Sequence, residues 1–268
     1  MWRPVWAIIE RELTRMLRQR GRLVSAMIRP LIWLLVIGTG FQALLEGSGY
    51  ANYKQFLVPG LLCMVLLFGS MLASLTLVYD KESGVMRMLI VAPFPRSWIV
   101  LARTLSAAVV GLLQAVMLMI ILWPMGYMAV PDSVVLFAFG LAVTALLCAA
   151  MGMLIAVFSK TLENFAVIMN FVIFPMFFLS GALYPIHHLP DAIKLVAYAN
   201  PFSYGVDLLK HAMLHDLPQR FGADFSVGVD LIVQIGFTAA ALVVATARFS
   251  QTPVFENLAR ALSAPRRG

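Results

Sequence analysis

The chain has 268 residues, of which 61% are hydrophobic and only 12% charged, with a formal net charge of +7. Globular domains carry roughly 45–50% apolar and about 25% charged residues, so a water-soluble fold would lack the polar surface it needs. The mean hydropathy of +0.88 agrees. This composition excludes soluble enzymes, disordered regulators and secreted disulfide scaffolds, and it reads as an integral membrane protein.

Seven of the 20 Lys and Arg lie between Arg3 and Arg29. A basic arm ahead of an apolar segment suits the anionic cytoplasmic face of a membrane, so no nucleic-acid partner is expected. Within residues 1–23, Trp2, Trp6, Ile9, Leu13, Met16 and Leu17 recur at near-helical spacing. That pattern predicts an amphipathic interface helix along the inner surface, the alternative being a basic topology signal alone. The first apolar run comes too late for a cleavable secretory signal. Cys63 and Cys148 sit deep in apolar runs, where ordinary packing is expected rather than a disulfide.

About 20 apolar residues cross the hydrocarbon core as a helix. Charge-free runs predict six spans: Val24–Leu45, Phe56–Val78, Trp98–Trp123, Val134–Phe158, Phe165–Tyr184 and Leu231–Ala247. Arg29 and Pro30 interrupt the first near its start, where an arginine can snorkel to the headgroups. The expected fold class is all-α integral membrane: an interface helix (1–23), a six-helix transmembrane domain in the lipid bilayer (24–247) and a tail (248–268). With the N-terminus inside, sixteen Lys and Arg fall on the inner side and four on the outer. Both termini are therefore expected in the cytoplasm.

The inner loop 79–97 opens with Asp80, Lys81 and Glu82, turns at Gly84, and continues as a short apolar helix over Val85–Val91. Pro93 and Pro95 close that helix ahead of Arg96. It either docks in a groove on a partner or lies on the headgroups. A short inner link over 159–164 carries Lys160 and Glu163. In the outer segment 185–226, Pro190 and Asp191 start one amphipathic helix and Asn200-Pro201 breaks it. Ser203 is expected to cap a second helix through Asp207 to about Leu214. The pair should fold back into the outer leaflet and roof the bundle.

From Thr104 to Pro131, and from Ser133 to Ser159, there is no Asp, Glu, Lys, Arg or His. An ion-coupled relay or a membrane hydrolase would need such groups, so neither is expected. His211 and His215 share a helix face at i, i+4, and His187 and His188 are adjacent. A closed metal site takes three or four ligands, and no metal site is expected from these pairs. No Gly-x-x-x-x-Gly-Lys-Ser/Thr run occurs, so no cofactor is expected on this chain.

Three stretches resemble the membrane subunits of bacterial type-2 ATP-binding-cassette exporters. The first is Ser180-Gly181-x-x-Tyr184-Pro185, followed by Asn200-Pro201-Phe202-Ser203-Tyr204 and Asp207-Leu208-Leu209-Lys210. The others are the Asp80–Arg96 loop, with Gly84 and Ala92-Pro93, and the basic arm. The resemblance covers essentially the whole chain, and the Asn200–Tyr204 run is most similar to the drug and lipo-oligosaccharide branches. It implies a permease, not an enzyme, in the bacterial inner membrane. Such a permease pairs with a second copy or a homologue and docks on a cytoplasmic ATP-binding subunit that holds ATP and Mg.

The resemblance places Asp80, Lys81, Glu82, Gly84, Arg87, Pro93 and Arg96 on the docking surface, with Lys160 and Glu163 as a second contact. It makes Ser180, Gly181, Pro185, Asn200, Pro201, Tyr204 and Asp207 an outer-gate motif. Val85 stands where the family often has Thr, which weakens the cap of the loop helix. The implied cargo is amphipathic or hydrophobic, with polysaccharide export as the alternative. A self-contained membrane enzyme and a scaffold are the readings from other classes.

Overall fold

The computed structural model describes residues 2–18, 20–40, 42, 53–85, 96–128, 130–214 and 223–250. The chain begins with α1 (Trp2–Arg18) and α2 (Arg20–Trp33), which passes into a π-helical stretch at Leu34–Gly38. Then come α3 (Tyr53–Glu82), α4 (Arg96–Leu122), α5 (Val134–Phe158) and α6 (Leu162–Phe178). A single 3-10 turn at Ile186–His188 precedes α7 (Asp191–Ala199), α8 (Pro201–Met213) and α9 (Val227–Ser250). Among the described residues there is no strand.

Among the described residues, four helices are long and apolar enough to cross a membrane, over Gln55–Glu82, Ser97–Leu122, Val134–Phe158 and Val227–Phe249. Shorter apolar helices over Met27–Gly38 and Leu162–Phe178 occupy the expected first and fifth spans. The protein is therefore an all-α, multi-pass membrane protein, with four full-length helices and two shorter ones at the six expected places. Local chemistry sets the breaks. Ser133 caps α5 by accepting from Leu136 N at 3.3 Å. Thr161 caps α6 by accepting from Asn164 N at 3.2 Å. After Phe178 the chain turns through Gly181, whose φ of +79° is open to glycine at no steric cost.

α5 is the centre of the bundle, with α3, α4, α8 and α9 packed around it. It buries side chains on all sides, from Phe137 to Val157. Lipid tails are as apolar as leucine, so close backbone approach rather than water exclusion joins such helices. Gly152 provides that approach: a Cβ there would stand 2.9 Å from Met71 Cα and 2.7 Å from Ser74 Oγ on α3. Gly152→Val should cost about 1–3 kcal/mol through overpacking. Thermal melting of the detergent-solubilised chain reads this as a lowered midpoint; a wild-type midpoint would mean that α3 and α5 do not meet there.

One expectation changes at the start of the chain. The arm is helical, but α1 packs along α4 rather than only lying on a surface. Glu12 is buried, Leu13 packs with Val110, and Trp6 stays 67% exposed. Arg29 lies in the first turn of the apolar helix Met27–Gly38, near the start of the expected span. Its guanidinium lies 4.0 Å from the ring of Phe68, in the middle of α3. Trp33, one turn further on, meets Phe177 and Phe178 edge-on at 6.0 and 5.5 Å.

Candidate functional site

Two polar clusters stand at opposite ends of the bundle. At the end that carries α1, the guanidinium of Arg103 is only 2% exposed. It donates to Glu12 Oε1 of α1 at 2.7 Å and to Thr76 Oγ1 of α3 at 3.2 Å. It also donates to Asp80, one turn further along α3. A planar cation with several donors suits this position, because each carboxylate is buried and would otherwise have only the half-exposed Arg11 near it. Arg11, half exposed, lies 3.7 Å from the same Asp80 carboxylate.

The neighbouring side chains extend the tie. Lys81 donates to the carbonyls of Ala156 and Val157, each at 2.8 Å. Those are last-turn carbonyls of α5, which have no partner within their own helix. Glu82 Oε2 accepts from Leu162 N at 3.2 Å, at the start of α6. The end of α3 thus joins α1, α4, α5 and α6.

These placements revise the docking set. α3 runs on through Glu82, so Asp80 and Lys81 belong to a membrane helix and turn into the bundle rather than outward. Glu82, Lys160 and Glu163 remain exposed and lie near one another, with Gly84 half-buried beside them. Gly84 has a φ of +78°, the turn expected of it. Arg87 and Pro93 lie outside the described residues, as does the expected Val85–Val91 helix apart from Val85 itself. Arg96 is the first residue of α4.

At the other end, α7 and α8 lie over the bundle as the expected helix pair. Asn200, not Ser203, caps α8: its Oδ1 accepts from Phe202 N at 3.1 Å. Its Nδ2 also donates to Met176 O at 2.8 Å, so one side chain closes the end of α6 and opens α8. Pro201 fits the first helical position, where no N–H is needed. Ser203 donates instead to Ala197 O at 2.9 Å. Ser180 donates to Phe177 O at 2.7 Å, Tyr184 to Phe178 O at 2.6 Å and Tyr204 to Tyr198 O at 2.8 Å. Pro185 leads into the 3-10 turn, and a Cβ on Gly181 would stand 3.0 Å from Ile186 Cγ1.

Asp207 holds the approach to α9. Its carboxylate accepts from Asp224 N at 2.6 Å and Phe225 N at 2.9 Å. Asp224 in turn accepts from the main-chain N–H of Ile186 and His187 at 3.2 and 3.1 Å. The fully buried Lys210 lies 3.6 Å from Asp224 Oδ2. Burial holds its ammonium below the usual lysine pKa, against the pull of Asp224 and Asp207. Burial likewise raises the Asp207 carboxyl, opposed by Lys210 and the two main-chain donors. Beneath this roof, an apolar cavity of about 290 Å³ is lined by Met176, Leu179, Val196 and Phe237 among others.

Glu12, Arg103, Asp224 and Asp230 are site residues that the sequence pattern does not single out. The charge-free runs form helices, and buried charges lie at their edges. Arg103 directly precedes one run, and α9 starts at Val227, which brings Asp230 into its first turn. An acid within a basic arm, Glu12 beside Glu10, and an arginine within an apolar helix are the available signals.

The comparisons with known proteins agree with this architecture. The chain matches the family described as ABC-2 type transporter over residues 3–214. It is 29% identical to the ycf38 protein of Cyanophora paradoxa, named as a transport permease, over 79% of this chain and 74% of that protein. It is 26% identical to YbhR of Escherichia coli (strain K12), named as a multidrug ABC transporter permease, over 62% of this chain and 45% of that one. Against nodulation protein J of Rhizobium leguminosarum bv. trifolii the identity is 25%, over 75% and 79%. With four-fifths of its length matched and a multi-pass helical fold, the chain belongs to the ABC-2 type transporter family, as a transport permease subunit and not an enzyme.

Proposed function

We propose that two such chains, identical or homologous, form an export path across a bacterial inner membrane, with the α1 end in the cytoplasm docked on an ATP-hydrolysing subunit. ATP and Mg belong to that partner. The observation that carries this reading is the Arg103 cluster with its neighbours Lys81 and Glu82. It ties the arm and four bundle helices together beside the loop that begins at Ser83. A push on that loop then moves the helices as a unit, so the energy of ATP closure reaches the bundle without a charge relay inside it. Glu82, Gly84, Arg87, Pro93 and Arg96 form the contact, with Lys160 and Glu163 beside it. Asp80 and Lys81 anchor the loop rather than touch the partner. The sixteen-to-four bias in Lys and Arg supports this orientation.

The cargo is amphipathic. Arg29 presents a cation beside the middle of α3, where an intramembrane charge is costly and marks a site. Phe68 and Phe174 lie close by, with ring centroids 6.3 Å apart. Cation and aromatic rings together fit a molecule with an anionic head and an apolar body. Such a match is closer to a drug or a lipo-oligosaccharide than to a plain polysaccharide.

The tagged chain, extracted in mild detergent, should bring down an ATP-binding subunit in stoichiometric amount. Glu82→Lys together with Arg87→Glu should release that subunit, or leave its ATPase running without transport, while the chain stays inserted. Recovery of the chain alone, or normal transport by the double variant, would reject the docking assignment.

A further inference from the structure

Under the roof, α8 and the first turn of α9 bring together groups far apart in sequence. Asp207 and His211 are one turn apart on α8, and Asp230 faces them from α9. His211 Nε2 lies 3.7 Å from Asp207 Oδ2 and 3.9 Å from Asp230 Oδ2. The same nitrogen is 2.8 Å from the main-chain oxygen of Phe225. One atom from each of the three side chains falls within 4.8 Å of the others. His211 thus meets one carboxylate on its own helix and one from α9; His215, its expected partner, lies outside the described residues.

Asp230 points to a ligand. Its side chain is 0% exposed, and neither carboxylate oxygen has a hydrogen-bond partner. A buried carboxylate of this kind is very costly unless a cation faces it. Lys210 is nearest to Asp224 at 3.6 Å and His187 lies 2.8 Å from that same carboxylate, which leaves His211 as the group that faces Asp230. Asp207 and Asp230 thus turn two buried carboxyl groups toward His211 Nε2, and a divalent ion between them would hold both as carboxylates.

We propose that Asp207, His211 and Asp230 bind one divalent transition-metal ion such as Zn²⁺, with the Phe225 carbonyl as a fourth oxygen. One imidazole nitrogen with carboxylate oxygens is a set zinc accepts, at about 2.0–2.2 Å per bond. Ligand atoms around a tetrahedral ion of that size lie about 3.3 Å apart. The 3.7 and 3.9 Å separations therefore need only a small closure. His211 binds as neutral imidazole through Nε2, turning the carbonyl beside it from hydrogen-bond acceptor to metal ligand. Asp207 is already fixed by two main-chain donors, the kind of outer support that orients a ligating carboxylate. His211, with 28% of its side chain exposed, is the way in. The ion would clamp the roof helix α8 to α9, whatever the cargo and whichever subunit docks at the other end.

The test uses the full chain in detergent, stripped with a chelator and titrated with Zn²⁺ against a chromophoric competitor. One saturable zinc per chain is expected, together with a raised melting midpoint, because an ion that binds only the folded state stabilises it. Asp230→Asn and His211→Gln should each weaken binding more than about tenfold and remove the midpoint rise. His211→Gln carries the test if Asp230→Asn does not insert. A His187→Ala, His188→Ala double variant should bind as wild type does. Failure of the wild type to bind, equal binding in Asp230→Asn and His211→Gln, or loss only in the His187/His188 variant would overturn the site.

Discussion

Replacing Arg103 with methionine is expected to lower the unfolding stability by about 3–5 kcal/mol and to free the N-terminal helix from the bundle. The guanidinium, 2% exposed, serves Glu12 on α1 and both Thr76 and Asp80 on α3. Methionine fills much of the same volume but leaves the two buried carboxylates with only Arg11, which lies 3.4 Å from Glu12. Arg11, half exposed and 3.7 Å from Asp80, compensates only partly. Arg103→Lys should fall between, because an ammonium keeps the charge yet cannot span two carboxylates as a planar fork does. Thermal melting measures the loss, and limited proteolysis between α1 and α2 measures the release of the arm. In the assembled transporter the same change should leave ATP hydrolysis running while transport falls, since the arm and α3 no longer move together. A methionine variant with wild-type melting and a protected arm would show that the cluster does not hold α1.

The same cluster explains where sequence reading succeeds and where it stops. Val134–Phe158 was legible to the residue, because a charge-free run is bounded by Ser133, a good cap, and by a polar link. α3 was cut short at Val78, since Asp80 and Lys81 read as loop. They stay helical because Arg103 and two carbonyls of α5 satisfy them. Those partners lie 23 to 76 positions away, and no local period encodes them. The partner of Arg29 is hidden for the same reason, because the Phe68 ring that receives it belongs to another helix.

At the roof, the helix break at Asn200-Pro201 was visible in the residue types, but the choice of cap was not. Asn200 wins over Ser203 because its amide serves two helices at once, with Oδ1 on Phe202 N and Nδ2 on Met176 O. Asp207 stood out only as part of a motif. Its work, holding the main chain of Asp224 and Phe225, depends on a return of the chain that spacing alone does not reveal.

Asp207→Ala is accordingly expected to be the most damaging single change in the roof, by about 3–5 kcal/mol. It removes the acceptor for Asp224 N and Phe225 N and takes one of the two carboxylates that attract the buried Lys210. Unsatisfied main-chain donors cost about 1–3 kcal/mol each, and a poorly compensated buried ammonium adds to that. Phe225, stacked on Tyr204 with centroids 4.6 Å apart, should loosen with them. Asp207→Asn keeps one acceptor oxygen and should lose roughly half as much, because charge-assisted bonds are about twice as strong as neutral ones. Run in excess chelator, so that no metal contributes, melting of the two variants gives the ranking. Hydrogen exchange over residues 223–230 then locates the effect, with faster exchange expected in Asp207→Ala and an intermediate rate in Asp207→Asn. Equal melting of wild type and Asp207→Ala, with unchanged exchange over these residues, would mean that the roof is held by its aromatic contacts rather than by this carboxylate.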